Sequence, residues 1–242
     1  MNFEQRTEAI RREGHALGSA ARAAGVDAPV PSCPKWTVTD LLGHMGRIHR
    51  WVTRIVVDQS QDRGDHWSEH EPPPPGELLD WFAQGVDPLA DALRDAGPDA
   101  AVWTWTSDRT SGFWARRQAV ETAVHRYDAQ LAANAPAPVE PDLAVDGIDE
   151  LFWMVPYWQW ADRVRGNGET LHFHCTDTDG EWLVRVNPDG IVVTLEHAKG
   201  DVAARGTASN LLLYLYGRAS IDELEVFGDA SVLTRWRELV NW

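Results

Sequence analysis

Apolar residues recur at helical spacing through the first half of the chain and at strand spacing through much of the second. Residues 3–24 carry Ile10, Leu17 and several alanines along one side and end at Gly25, which predicts a first helix. In "TVTDLLGHMGRIHRWVTRIVVDQ", Thr37 followed by Asp40 makes a capping-box start, and Leu41, Met45, Ile48 and Val52 keep a helical period. "ELLDWFAQGVDPLADALRDAG" predicts a third helix with a kink near Pro88, and residues 114–134 a fourth. "VDAPVPSCPKW" and the proline-dense "DRGDHWSEHEPPPPG" read as loops, and "PDAAVWTWTSDRTSG" as irregular or briefly extended. Four helices with long connections suggest a bundle.

"NAPAPVEPD", at 134–142, is a proline-rich break that suggests domains at 1–140 and 141–242. An aromatic-rich helix is predicted over 143–166. The texture then changes to short alternating runs, "ETLHFHCTD", "GEWLVRVNPDG", "IVVTLEHAKG" and "DVAARG", the signature of strands and hairpins. Helices "TASNLLLYLYGRA" and "DASVLTRWRELVNW" follow. The expected class is therefore α+β, a helical bundle followed by a smaller α+β domain.

Composition narrows the partners. A net charge of −15, spread as −6 and −9 over the two halves, argues against nucleic acid or an anionic membrane. No run of 18 apolar residues suggests a membrane span, and the charged N-terminus suggests no signal peptide. Cys33 and Cys175 do not form a disulfide framework, so a cytoplasmic, reducing setting is expected. The 13 tryptophans suggest aromatic walls; Trp103, Trp105, Trp114, Trp153, Trp158 and Trp160 are candidates for a cleft lining or for core.

The chemistry-bearing residues leave alternatives open. Glu121 and His125 lie one turn apart on the fourth helix, and His44 sits at the edge of the apolar stripe of the second. Together they would make a His₂Glu set with an open position for a divalent metal. The plainer reading is a surface pair at 121 and 125 and a hydrogen-bonded His44. Asp128 reads as a helix-face charge or, less plainly, as a partner to His125. His66 and His70 fall in the proline loop. His172 and His174 share one strand face, with Cys175 on the other, and read as surface or groove lining. His15, His49 and His197 read as solvated or capping residues. No GxSxG, P-loop, GxGxxG or CxxC motif is present, which removes the usual hydrolase, nucleotide and redox readings.

"WTVTDLLGHMGRIHRWV" and "RRQAVETAVHRYDAQ" resemble the second- and fourth-helix motifs of the mycothiol-dependent maleylpyruvate isomerase family. "GTASNLLLYLYGRASIDELEVFGD" resembles that family's C-terminal domain. The resemblance implies a DinB-like metal-binding four-helix domain and a sterol-carrier-like C-terminal domain. It implies zinc or another divalent ion on His44, Glu121 and His125, with mycothiol, the small thiol of actinobacteria, as cosubstrate. It also points to Arg218, in "LYLYGRAS", as a catalytic arginine that clamps a carboxylate. The implied activity is cis–trans isomerisation, in which the thiolate adds to an activated double bond, the new single bond rotates and the thiol leaves. The same thiolate could instead be transferred to an electrophilic small molecule. The pattern departs at Val120, where many relatives carry a histidine, and the substrate stays open. A monomer or weak dimer is expected. The alternative is a non-catalytic metal- or lipid-binding protein of the same fold.

Overall fold

The computed structural model describes residues 1–64, 69–158 and 161–240. They divide into two compact units, 1–137 and 138–242.

The first unit holds α1 (Phe3–Ala24), α2 (Val38–Val57), α3 (Pro75–Ala96) and α4 (Ser111–Ala132). Reciprocal capping boxes, Asn2 with Gln5 and Thr37 with Asp40, start α1 and α2 by satisfying otherwise orphaned N–H groups. Pro75 occupies the first turn of α3, where a missing N–H costs nothing, and Pro88 lies within the helix without ending it. Helix α1 packs on α4 and α3, and α2 packs on α3. Leu17, Leu41, Leu42, Met45, Leu78, Phe82 and Val86 form a fully buried cluster between them. Helices α2 and α3 approach closely at Gly46, where an added Cβ would stand 2.2 Å from the Trp81 ring.

Helix α4 differs from the others. It buries Phe113, Trp114, Val120 and Val124, but also Arg117, Gln118, Thr122, His125, Arg126 and Asp128. Its polar residues point inward, so it has no simple apolar stripe. Before it, residues 98–110 are irregular apart from an isolated bridge between Ala101 and Thr110. Trp103, Trp105 and Trp114 pack with Trp51 and Phe113 in mostly edge-to-face contacts, with Trp51, Phe113 and Trp114 buried and Trp103 and Trp105 partly exposed.

The second unit opens with α5 (Pro141–Met154). The helix expected to run to 166 stops at Met154 and passes into 3₁₀ turns at Val155–Tyr157 and Ala161–Arg163. Pro156 explains this, because it lacks the N–H that the next helical bond needs. Trp153 is exposed and packs on Tyr157 at 5.4 Å; Trp158 is half-buried, and Trp160 lies outside the described residues. Then come β1 (Glu169–Cys175), β2 (Glu181–Asn187), β3 (Gly190–Thr194), β4 (Val202–Gly206), α6 (Ala208–Leu215), β5 (Glu225–Gly228) and α7 (Ala230–Leu239). The sheet order is β3-β2-β1-β4-β5, with β1 and β4 parallel and the other pairs antiparallel. Strand β5 was not expected from the sequence; four residues are too few for alternation to register. Phe173 meets Phe152, which also packs on Trp182 and Trp236, as the core of this unit. No helix among the described residues is long and apolar enough to cross a membrane.

Candidate metal centre

Helix periodicity aligns Arg117, Glu121, His125 and Asp128 down one face of α4, since positions three and four apart stack above one another. The capping box at Thr37 sets the start of α2, and His44 lies two turns in. Packing brings the two helices together so that His44 Nε2 lies 3.5 Å from Glu121 Oε1, and His125 Nε2 lies 3.3 Å from the same oxygen. Donor atoms of all three residues fall within 4.8 Å of one another. An ion bound tetrahedrally at ~2.0–2.2 Å holds its ligand atoms about 3.3–3.6 Å apart. The observed spacing therefore fits such an ion with little adjustment.

A shell of partners orients these ligands. Asp128 Oδ2 accepts from His125 Nδ1 at 2.8 Å, so Nε2, facing Glu121, is the nitrogen whose lone pair becomes available when the ring gives up its second proton. Ser32 donates to Asp128 Oδ1 at 2.5 Å, and Cys33 Sγ lies 3.8 Å from Oδ2. Arg117 Nη2 donates to Glu121 Oε2 at 2.7 Å and so leaves Oε1 to the two imidazoles. Trp36 stacks on the His125 ring at 5.8 Å and tilts against His44 at 4.9 Å. The loop that supplies these groups is fixed by its own backbone bonds, Val30 N to Trp36 O and Trp36 N to Cys33 O. Side-chain exposure falls from 28% at His44 and 24% at Glu121 to 8% at His125, so the site opens at its outer edge.

Burial disfavours a charge on Glu121, but Arg117 and the hydrogen bonds from His125 and His44 outweigh it and hold the carboxyl well below its usual range. Burial also disfavours charge on His125, yet Asp128 and Glu121 raise its pKa to about 8.

The reading of Asp128 as a plain helix-face charge is corrected: its side chain is fully buried against His125. His49 is also corrected. It is fully buried, with Nε2 3.2 Å from Thr122 Oγ1, and burial drives its pKa down to about 3. Arg117 was missed, although a position one turn before Glu121 was legible as a pair. Ser32, Cys33 and Trp36 were missed because a non-periodic loop carries no signal of where its side chains point.

Arg218 lies in the second unit, just after α6, where its Nη1 donates to Tyr216 O at 2.7 Å. His15 pairs with Asp87 at 3.1 Å as a surface residue. His66 lies outside the described residues, and the carbonyl of His70 accepts from Arg47 at 3.3 Å. His172, His174 and His197 gather around Glu181. His197, expected to be solvated or capping, is largely exposed and also touches this cluster.

The family model of the mycothiol maleylpyruvate isomerase N-terminal domain matches residues 7–130, and that of the MDMPI C-terminal domain matches residues 142–235. Two solved structures share the fold. One is of the mycothiol-dependent maleylpyruvate isomerase, with a TM-score of 0.62 at 14% identity. The other is of a histidine-to-alanine mutant of a mycothiol-dependent maleylpyruvate isomerase, with a TM-score of 0.64 at 13% identity. Each alignment covers 93% of this chain and 93% of the other. No curated protein matches the chain significantly.

Proposed function

The chain belongs to the mycothiol maleylpyruvate isomerase family, and we propose from that premise that it is a thiol-using enzyme with a divalent metal on His44, Glu121 and His125. Zinc suits two imidazoles, one carboxylate and an open fourth position. Such an ion, when bound, supplies a Lewis-acid position that favours thiolate over thiol at neutral pH. Mycothiol is the thiol of this reading, and the reaction is either cis–trans isomerisation by reversible thiol addition or transfer of the thiol to an electrophilic small molecule.

The chain's own residues prepare the site. Asp128 fixes the His125 tautomer and turns Nε2 toward the ligand position. Arg117 neutralises part of the Glu121 charge and occupies its second oxygen. Trp36 stacks over one face of His125. To Arg218 we assign the grip on a carboxylate of substrate or thiol, which a planar guanidinium recognises through two parallel hydrogen bonds. The observation that carries the reading is the spacing of 3.3 and 3.5 Å between imidazole nitrogens and Glu121 Oε1, with the opposite nitrogen of His125 already committed to Asp128.

The test is the metal content of the purified protein, then mycothiol affinity with and without chelator, then a screen of cis-diacids and electrophiles with mycothiol. Metal bound at this centre, and thiol binding that chelation abolishes, is the expected result. Mycothiol binding that is indifferent to chelation, or a metal-free protein that instead extracts lipid, would overturn it.

A further inference from the structure

A second group of metal-ligand side chains stands on the sheet of the second unit. Strand alternation puts His172 and His174 on the same face of β1, opposite Leu171, Phe173 and Cys175. The antiparallel register sets Glu181, the first residue of β2, directly across from His174. His197 reaches the same place from the segment between β3 and β4.

The three imidazoles converge on one oxygen. His174 Nδ1 and His197 Nδ1 each lie 2.5 Å from Glu181 Oε1, and His172 Nε2 lies 3.6 Å from it. His172 is the informative member. Its side chain is only 7% exposed, and its Nε2 is buried, directed at the cluster and without a hydrogen bond. A buried nitrogen without a hydrogen bond is destabilising, so native proteins rarely keep one without a use. The cluster borders a cleft of about 390 Å³, flanked also by Lys199, Arg205 and Phe227. Arg205 is paired with Glu225 at 3.3 Å, so its charge is partly met away from the histidines.

From this geometry we infer a second transition-metal site, with His172 Nε2, Glu181 and His197 as ligands and His174 holding the carboxylate in place. Donor atoms of the three ligands lie within 4.8 Å of one another. Ligand separations of ~3.3–3.6 Å take a shift of roughly 1 Å, in which His197 Nδ1 draws back from Glu181 Oε1, while His172 Nε2 already stands 3.6 Å from that oxygen. His197, 80% exposed and outside any strand, can supply it. Two imidazoles and a carboxylate select Zn²⁺, Ni²⁺ or Cu²⁺ over Ca²⁺ or Mg²⁺. Bound there, the ion satisfies the orphaned nitrogen and ties the β3–β4 connection to β1 and β2.

The inference is independent of the proposed function and is tested on the full chain by zinc titration against a chromophoric chelator, with Co²⁺ absorption as a second readout. Wild type is expected to take up two equivalents. His197→Ala, at an exposed position, and Glu181→Gln should each lose one equivalent, or bind it at least tenfold more weakly, and lose one component of the Co²⁺ spectrum. The double variant His44→Ala, His125→Ala should keep one equivalent, which His197→Ala then removes. Wild-type stoichiometry and affinity in both folded His197→Ala and folded Glu181→Gln would overturn the second site and leave the first untouched. A wild type that takes up only one equivalent, kept by the double variant and abolished by His197→Ala, would support the second site while refuting the first.

Discussion

Replacing Asp128 with alanine removes the group that orients His125. The carboxylate is fully buried, accepts from His125 Nδ1 at 2.8 Å and from Ser32 Oγ at 2.5 Å, and with Glu121 raises the basicity of His125 against the effect of burial. Loss of such a partner typically costs 10–100-fold in metal affinity, about 1.4–2.7 kcal/mol. The metal-free fold should also lose about 1–3 kcal/mol, because His125 Nδ1 and the Ser32 hydroxyl lose their acceptor. Asp128→Asn keeps an acceptor of nearly the same shape without the charge, so its metal affinity should fall between wild type and Asp128→Ala. The assay is zinc competition against a chromophoric chelator at pH 8, with denaturant unfolding of the metal-free proteins to separate folding from binding. A folded Asp128→Ala protein with wild-type zinc affinity at the helical site would refute the reasoning. Either His125 would not be a ligand, or its orientation would not depend on Asp128.

Metal uptake at the helical site should depend on pH. His125 holds a proton up to about 8 in the metal-free protein, and a ligand must release it, so apparent zinc affinity should rise up to tenfold per pH unit toward pH 8 and then level off. Proton release measured in two buffers of different ionisation enthalpy checks this. His49 stays neutral in the fold down to about pH 3 but takes up a proton near 6.5 when unfolded. The unfolded chain therefore binds more protons between those values, and stability present above pH 6.5 is lost as pH falls toward 3, by about 5 kcal/mol. Denaturant unfolding across that range should show the loss, and His49→Gln should flatten it. Gly46→Ala drives a methyl against the Trp81 ring, 2.2 Å away, and should cost about 1–3 kcal/mol. Gly76→Ala, in open space near the start of α3, should instead gain about 0.4–1 kcal/mol. Thermal unfolding of both variants compares the two.

Local energetics made much of the chain legible from its sequence. The capping boxes at Asn2 and Thr37 and the apolar period of α2 are free energies of neighbouring residues, so they read without a fold. The alternation of β1 to β4 reads the same way. The run into α5 was overextended because the aromatic pattern continues past Pro156, where the backbone bond cannot. Glu121 and His125 were legible as a pair because one helical turn joins them. Their meeting with His44, 77 positions away, was legible only as one alternative and through the family resemblance, because spacing within one helix says nothing about which helix faces it. Asp128 and His49 show the limit most directly. A polar residue on a helix ordinarily faces water, and both read as surface. Packing α4 against its neighbours buried its charged face instead, and only there do partners across the bundle offset the cost of burying those groups. Local pattern marked most of the helices and strands, though not β5 or the end of α5, and named the side chains that bear metal-ligand chemistry. The tertiary structure decided which of those residues meet, because convergence depends on contacts between segments distant along the chain.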